Sequence, residues 1–220
     1  MIARLGKYAG SVAAESCFLV AQLITYPIDM ILTNLIGLRV YRPRDFSVPP
    51  GTLILANHRS YFDPFLVTYH LGFRNILAAI PVRYPVYSSF MRNYIFGIGL
   101  RALGGYDIGV TSVERAKKLL FTRHLLQKKR TVLLFPEGKI VRDGRVPEEF
   151  QRGAEMLFAY DYPVIFARLS DFNSASFLKP FGARNASIRY SEVVRGDAVT
   201  KIARMTSFFG SDYESHSEQS

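Results

Sequence analysis

Two short segments carry the residue types that acid–base chemistry needs. The first runs Asn57-His58-Arg59-Ser60-Tyr61-Phe62-Asp63 and sets an imidazole and a carboxylate five positions apart. A carboxylate on one ring nitrogen fixes the tautomer and leaves the other nitrogen free as a general base. The pair is a base with its orienter and no nucleophile of its own. It suits taking the proton from a hydroxyl that belongs to the substrate. The plainer alternative makes Asp63 only a helix cap and His58 only a satisfied turn residue. The second segment, Phe135-Pro136-Glu137-Gly138, places Glu137 79 residues after His58. It gives a rigid turn carrying one carboxylate, or else an ordinary Pro/Gly turn. Lys139, Arg142, Arg145 and Arg152 follow it. Such a basic loop can hold a phosphate, or it is a solvated charged loop.

Both segments need strands to place them. TLILAN (52–57) reads as a short buried strand, and Asp63-Pro64 opens the helix after it, with Gly72 as its stop. NILAAI (75–80) reads as a strand, 86–96 as a helix, and LGGYDI (103–108) as a short strand. Residues 112–129 form a basic amphipathic helix and TVLLF (131–135) a strand that delivers the second segment. A helix over 148–160, strands over 163–169 and 186–192, and a helix over 197–209 complete the body. Strands alternating with helices predict an α/β fold with a mostly parallel sheet flanked by helices. His58 and Glu137 then both sit outside carboxyl ends of strands, where ligands of such sheets bind.

Ahead of this body, residues 17–40 are mostly apolar, in two runs broken by Pro27 and Asp29. Neither run reaches the ~20 uninterrupted apolar residues of a membrane span. Arg4 and Lys7 precede the pair, and Arg39, Arg42 and Arg44 follow it. Glu15 interrupts any signal-peptide core. Two core helices of a soluble domain are the simpler reading. The preferred one is a membrane-associated helical hairpin, with Pro27 as its break. The predicted organisation is an apolar hairpin over 1–44, an α/β domain over 45–210 and a disordered polar tail over 211–220.

Composition narrows the partners. The chain has 220 residues, 49% hydrophobic and 21% charged, an ordinary globular balance that excludes a disordered or collagen-like chain. Cys17 is its one cysteine, which excludes a disulfide-framed scaffold and fits a reducing compartment. The net charge is +10, and because the last ten residues contribute −3, the rest carries +13. A basic folded body calls for an anionic partner: nucleic acid, a phosphorylated substrate or an acidic membrane surface. No Walker loop, Gly-x-Ser-x-Gly elbow or pair of histidines at metal spacing is present, and no cofactor or metal is expected. Gly97-Ile98-Gly99-Leu100-Arg101-Ala102 matches a loose dinucleotide pattern without its acidic partner. His70, His124 and His216 read as ordinary helix or tail residues. Aromatic interleaving along the basic helix is slight, so no nucleic acid is expected.

Taken together, the His-x4-Asp and Phe-Pro-Glu-Gly segments resemble the lysophospholipid acyltransferase superfamily, the group that includes 1-acyl-glycerol-3-phosphate acyltransferases. Phe150-Gln151-Arg152-Gly153 and the strand opening at Pro163 match later blocks, and the resemblance covers roughly 53–169. It implies a membrane-associated O-acyltransferase at the cytoplasmic face. Acyl-CoA or an acyl-carrier protein would donate the acyl group to a hydroxyl of a lysophospholipid acceptor. His58 and Asp63 would be catalytic. Asn57, Phe135, Pro136, Glu137 and Gly138 would contribute to substrate binding. The family's Gly-rich second block usually closes with an arginine that holds an acceptor phosphate; here that position is about Val110. Lys139 and Arg142, with Arg101 in reserve, are the candidates to replace it, unless the acceptor has no terminal phosphate. The rival reading is a non-catalytic binder of anionic lipid or nucleic acid. A catalytic reading requires His58 and Asp63 within hydrogen-bond reach, which a binder does not.

Overall fold

The computed structural model describes residues 2–35, 37–141, 152–170 and 186–210, with side chains of 2–14 and of Arg152 outside the description. The tail over 211–220, Arg142, Arg145 and the start of the predicted 148–160 helix lie outside the described residues.

Among the described residues, a five-stranded sheet organises the body. Its strands are β1 (Arg39–Tyr41), β2 (Leu53–Ala56), β5 (Val132–Leu134), β6 (Val164–Ser170) and β7 (Ser187–Tyr190), in the spatial order β1-β7-β6-β2-β5. β2 pairs in parallel with both β5 and β6, and β1 in parallel with β7, while β6 and β7 run antiparallel. The sheet is therefore mostly parallel, as predicted. β3 (Tyr84–Val86) and β4 (Gly105–Asp107) form a second parallel pair, joined to β5 by a bridge between Arg83 and Val132.

Helices cover both faces, which is why β2 reads Leu-Ile-Leu-Ala with every residue buried and no polar alternation. Ile54, Ala56, Leu133, Ile165 and Ala167 point to one layer, packing on Leu66, Val67 and Leu71 of α2 (Asp63–Tyr69) and its exit, and on Ala79 of α3 (Phe73–Ala79). Leu53, Leu55, Val132, Val164 and Phe166 point to the other layer. That layer comprises α6 (Ser112–Gln127), α7 (Arg152–Phe158) and α8 (Ala198–Gly210), through Leu126, Leu157, Phe158 and Met205. Buried Lys201 on α8 donates to the carbonyl of Tyr160 at 2.7 Å, tying α8 to the end of α7.

Three expectations change. Residues 75–79 are helix, not strand, and Ile80 is the extended residue that ends it. Ile76 and Ala79 are buried while Leu77 is exposed, a spacing of three that a short apolar run does not distinguish from a strand. The helix predicted over 86–96 is a strand end followed by α4 (Ser88–Arg92) and α5 (Tyr94–Ala102). Asn93 breaks it: its backbone is extended and its Oδ1 accepts from the N–H groups of Ile95 and Phe96, capping α5.

The third concerns the N-terminus, where one helix, α1 (Ile2–Leu35), replaces the hairpin. Pro27 lies inside it. Proline removes its own N–H from the ladder and crowds the carbonyl four residues back, and contacts on both sides of it hold the helix to the body despite that cost. The Glu15 carboxylate pairs with Arg130, and the Arg83 guanidinium sits 4.4 Å from the Phe18 ring centroid. Gln22 donates to the carbonyls of Val82 (2.9 Å) and Leu103 (2.7 Å) and accepts from Val82 N–H (3.0 Å). The Thr25 and Tyr69 hydroxyls hydrogen-bond, and Tyr26 meets the rings of Tyr69 and Phe73. The Thr33 hydroxyl lies 3.1 Å from His70 Nε2, and Asp29 Oδ2 is 3.6 Å from His70 Nδ1. Burial pushes the Asp29 carboxyl up to about 7 and the His70 imidazole down to about 4, so this contact joins neutral groups near pH 6.

The docked positions recur at helical steps of three and four over ~27 Å of helix, and most are polar. The opposite face, with Ile24, Ile28 and Ile31, is exposed. This polarity is the inverse of a soluble amphipathic helix, which buries its apolar stripe. From Glu15 to Leu35 the helix is long and apolar enough to cross a membrane by length and composition.

Candidate active site

β2 and β5 are neighbours, so their carboxyl ends bring the two chemistry-bearing turns together. At the end of β2 the Asn57 side chain donates to the carbonyl of Leu169 (2.8 Å) and accepts its N–H (2.7 Å). These two bonds imitate one more rung between β2 and β6. Asn57 was a candidate substrate-binding residue; its amide is committed to the backbone of β6 and sets where His58 leaves the sheet.

His58 is held through its ring and through its backbone. Nδ1 lies 2.8 Å from Asp63 Oδ2. One ring face stacks on Phe135, with centroids 4.1 Å apart and planes 17° from parallel. Its backbone N–H donates to Glu137 Oε2 at 3.2 Å, and its carbonyl accepts from Val141 N–H at 2.8 Å. Glu137 and Phe135 of the second segment thus clamp the histidine of the first. Nε2 has no hydrogen-bond partner among the described residues, and the side chain is 16% exposed.

Asp63 is fully buried and does not cap α2. It anchors the turn before the helix instead. Oδ2 accepts from Arg59 N–H (2.5 Å) and Ser60 N–H (2.7 Å) as well as from His58, and Oδ1 accepts the Ser60 hydroxyl (2.5 Å). An ionised carboxylate only accepts hydrogen bonds. Its partner Nδ1 therefore carries a proton, and the Nε2 lone pair is the free one. Arg59 extends the frame by donating to the carbonyl of Val141 at 2.9 Å. Ser60 escaped the sequence reading, although Ser60-x-x-Asp63 has capping-box spacing.

In the second turn Gly138 N–H bonds back to the carbonyl of Phe135 at 3.0 Å, with Gly138 at φ +63°. That conformation favours glycine and turns the chain back toward His58. Pro136 and Glu137 are buried. Lys139 follows on the exposed side, while Arg142 lies outside the described residues. Arg101, the reserve cation, donates to the carbonyl of Met91 at 2.7 Å and joins α5 to α4. At the position of the absent arginine, the Val110 and Thr111 N–H groups both donate to Glu114 Oε2, which closes the capping box of α6.

The acyltransferase family model matches residues 37–167. The chain belongs to the acyltransferase family. The match includes β1, which the sequence reading assigned to the N-terminal segment, and ends within β6. Among solved structures, this acyltransferase is similar to PlsC from Thermotoga maritima, described as a 1-acyl-sn-glycerophosphate (LPA) acyltransferase. That likeness has 17% identity, covers 75% of this chain and 69% of that one, and has a TM-score of 0.48. No curated protein matches.

Proposed function

We propose that this acyltransferase moves a fatty acyl group from a thioester, carried by coenzyme A or an acyl-carrier protein, to a hydroxyl of a lysophospholipid. His58 Nε2 takes the hydroxyl proton as the acceptor oxygen attacks the thioester carbonyl carbon. Asp63 holds the tautomer and offsets the imidazolium charge. The C–S bond then breaks, and the departing sulfur recovers the proton from the imidazolium. A thiol with pKa near ~8.5 leaves far more readily than an alcohol, so collapse favours the ester. No acyl-enzyme is required. The observation that carries this reading is the 2.8 Å contact between His58 Nδ1 and Asp63 at the ends of two parallel strands, with Nε2 unpartnered among the described residues. A binder of anionic lipid or nucleic acid has no use for that geometry.

The acceptor headgroup follows from charge. Glu137 holds His58 N–H, so it positions the base. Exposed Lys139 is the nearest described cation in sequence to that turn, and with Arg142 it takes the place of the arginine absent at Val110. An acceptor phosphate in such a site needs cations because burying an unpaired charge is costly.

The inverted polarity of α1 supports attachment to a membrane surface, for which we propose the cytoplasmic face. Its polar stripe faces the body, and its apolar face remains for lipid. A helix docked along ~27 Å of a folded body lies in the interfacial plane and does not cross the bilayer. The basic body adds attraction to anionic headgroups. The test is incubation with labelled acyl-CoA and a panel of lysolipids, with product mass analysis. Transfer to at least one lysolipid is expected, and thioester hydrolysis without a lipid product would overturn the reading.

A further inference from the structure

A second apolar surface lies beside the first. On α5, Tyr94 is 83% exposed, Ile95 77%, Phe96 66% and Ile98 56%. These side chains cannot turn inward, because the inner side of α5 is spent on α4. Gly97 is so close to α4 that a Cβ there would lie 2.4 Å from the carbonyl oxygen of Met91, which also accepts from Arg101. This explains the first glycine of the loose dinucleotide pattern: it packs two helices.

The ridge bridges the site and α1. At one end the Tyr61 ring, from the turn between His58 and Asp63, meets Phe90 of α4 with centroids 5.5 Å apart. At the other end the carbonyl of Leu103, which follows α5, accepts from Gln22 of α1. Arg92 and Arg101, both exposed, flank the apolar residues in sequence, Arg101 one helical turn beyond Ile98. A second copy of this chain would bring the same cations against them, whereas an anionic bilayer complements both features.

We propose that α4–α5 is a second lipid-contacting element, which with α1 seats the mouth of the site, at Tyr61, on an anionic bilayer surface. The proposal rests on the membrane attachment of α1 argued above and adds a contact that fixes how the site faces the lipid. Two contacts resist rotation about the long axis of α1, which one helix alone does not.

The test measures binding of the full-length protein to phosphatidylcholine vesicles containing phosphatidylglycerol. Ile95→Glu/Phe96→Glu is compared with Val199→Glu, an equally exposed change on α8 in the opposite layer. Removing two large apolar contacts predicts an affinity loss on the order of 100-fold for the ridge variant and none for Val199→Glu. Ile95→Ala/Phe96→Ala, which retains helix-forming residues, should lose affinity by a smaller factor if the charged variant folds poorly. Wild-type affinity in both ridge variants, or an equal loss in Val199→Glu, overturns the proposal. So does a change from dimer to monomer in the ridge variant at unchanged vesicle affinity, which would assign the ridge to a second copy. Acyl transfer in detergent micelles is read separately. Ridge-dependent vesicle binding without any transfer would refute the reaction and leave the lipid contact standing.

Discussion

Replacing Asp63 by asparagine separates its electrostatic role from its structural one. Four donors converge on the carboxylate: His58 Nδ1, the N–H groups of Arg59 and Ser60, and the Ser60 hydroxyl. Asparagine can place its oxygen where Oδ2 stands, keeping the three nitrogen donors. Its NH2 then faces the Ser60 hydroxyl, which can rotate to accept. The fold should survive. In the proposed mechanism, what disappears is the negative charge beside the imidazolium formed when His58 takes the proton. With the two atoms 2.8 Å apart and charge centres about 4 Å apart, an effective dielectric of about 20 makes that attraction roughly 4 kcal/mol, or about a thousandfold in rate. Asp63→Ala is the contrasting case. It strands several buried donors at ~1–3 kcal/mol each, a large share of a typical stability of ~5–15 kcal/mol. The assay is the initial rate of thiol release and of labelled ester formation, with a circular-dichroism melt of each variant. A folded Asp63→Asn enzyme less than about tenfold slower than wild type would refute the role assigned to the charge.

Removing residues 1–38 should shift the protein from the membrane fraction toward the soluble one, since several exposed aliphatic side chains at ~1.5–3 kcal/mol each are lost; full-length protein that fractionates as soluble without detergent contradicts this. Arg142→Ala should raise KM for lysophosphatidic acid more than it lowers kcat, and more than it affects lysolipids without a terminal phosphate; equal effects on every acceptor would refute the phosphate clamp. The buried Asp29 carboxyl, pushed up to about 7 from 3.8, binds more protons folded than unfolded, so its contribution to stability falls as pH rises from about 4 to 7. His70, pushed down to about 4 from 6.5, opposes this across about 4 to 6.5, which leaves Asp29 alone just below neutrality. Asp29→Asn should therefore gain stability on wild type between about pH 5 and pH 8, by at most about 1.4 kcal/mol for each pH step in which Asp29 titrates; parallel melting curves across that range would contradict it.

The parallel core was legible because β2, β5 and β6 are short runs of buried apolar residues ended by turn chemistry, and a strand covered on both faces has no other appearance. The His58–Asp63 pairing was legible for a local reason: five residues of one turn bring the two side chains together. What was not legible depends on residues distant in sequence. The three-residue edge strand Arg39–Tyr41 carries no periodicity, and only its pairing with β7 defines it. Pro27 reads as a break until the contacts of Gln22 and Thr33 hold both sides of it to one body. Asn57 reads as a ligand-binding amide until Leu169, 112 residues away, takes both of its bonding groups. Glu137 likewise reads as an isolated carboxylate, and only the adjacency of β2 and β5 turns it onto His58.

The most direct test of the central claim is the turnover of His58→Ala with labelled acyl-CoA and a lysolipid that the wild-type enzyme acylates. Nε2 is the base in this mechanism, and no second imidazole stands in that turn. Because the side chain is partly exposed and its backbone bonds to Glu137 and Val141 do not need the ring, the variant should fold. Its rate should fall on the order of 10²–10⁴-fold, the usual contribution of general acid–base catalysis. Wild-type turnover in a folded His58→Ala protein would contradict the mechanism.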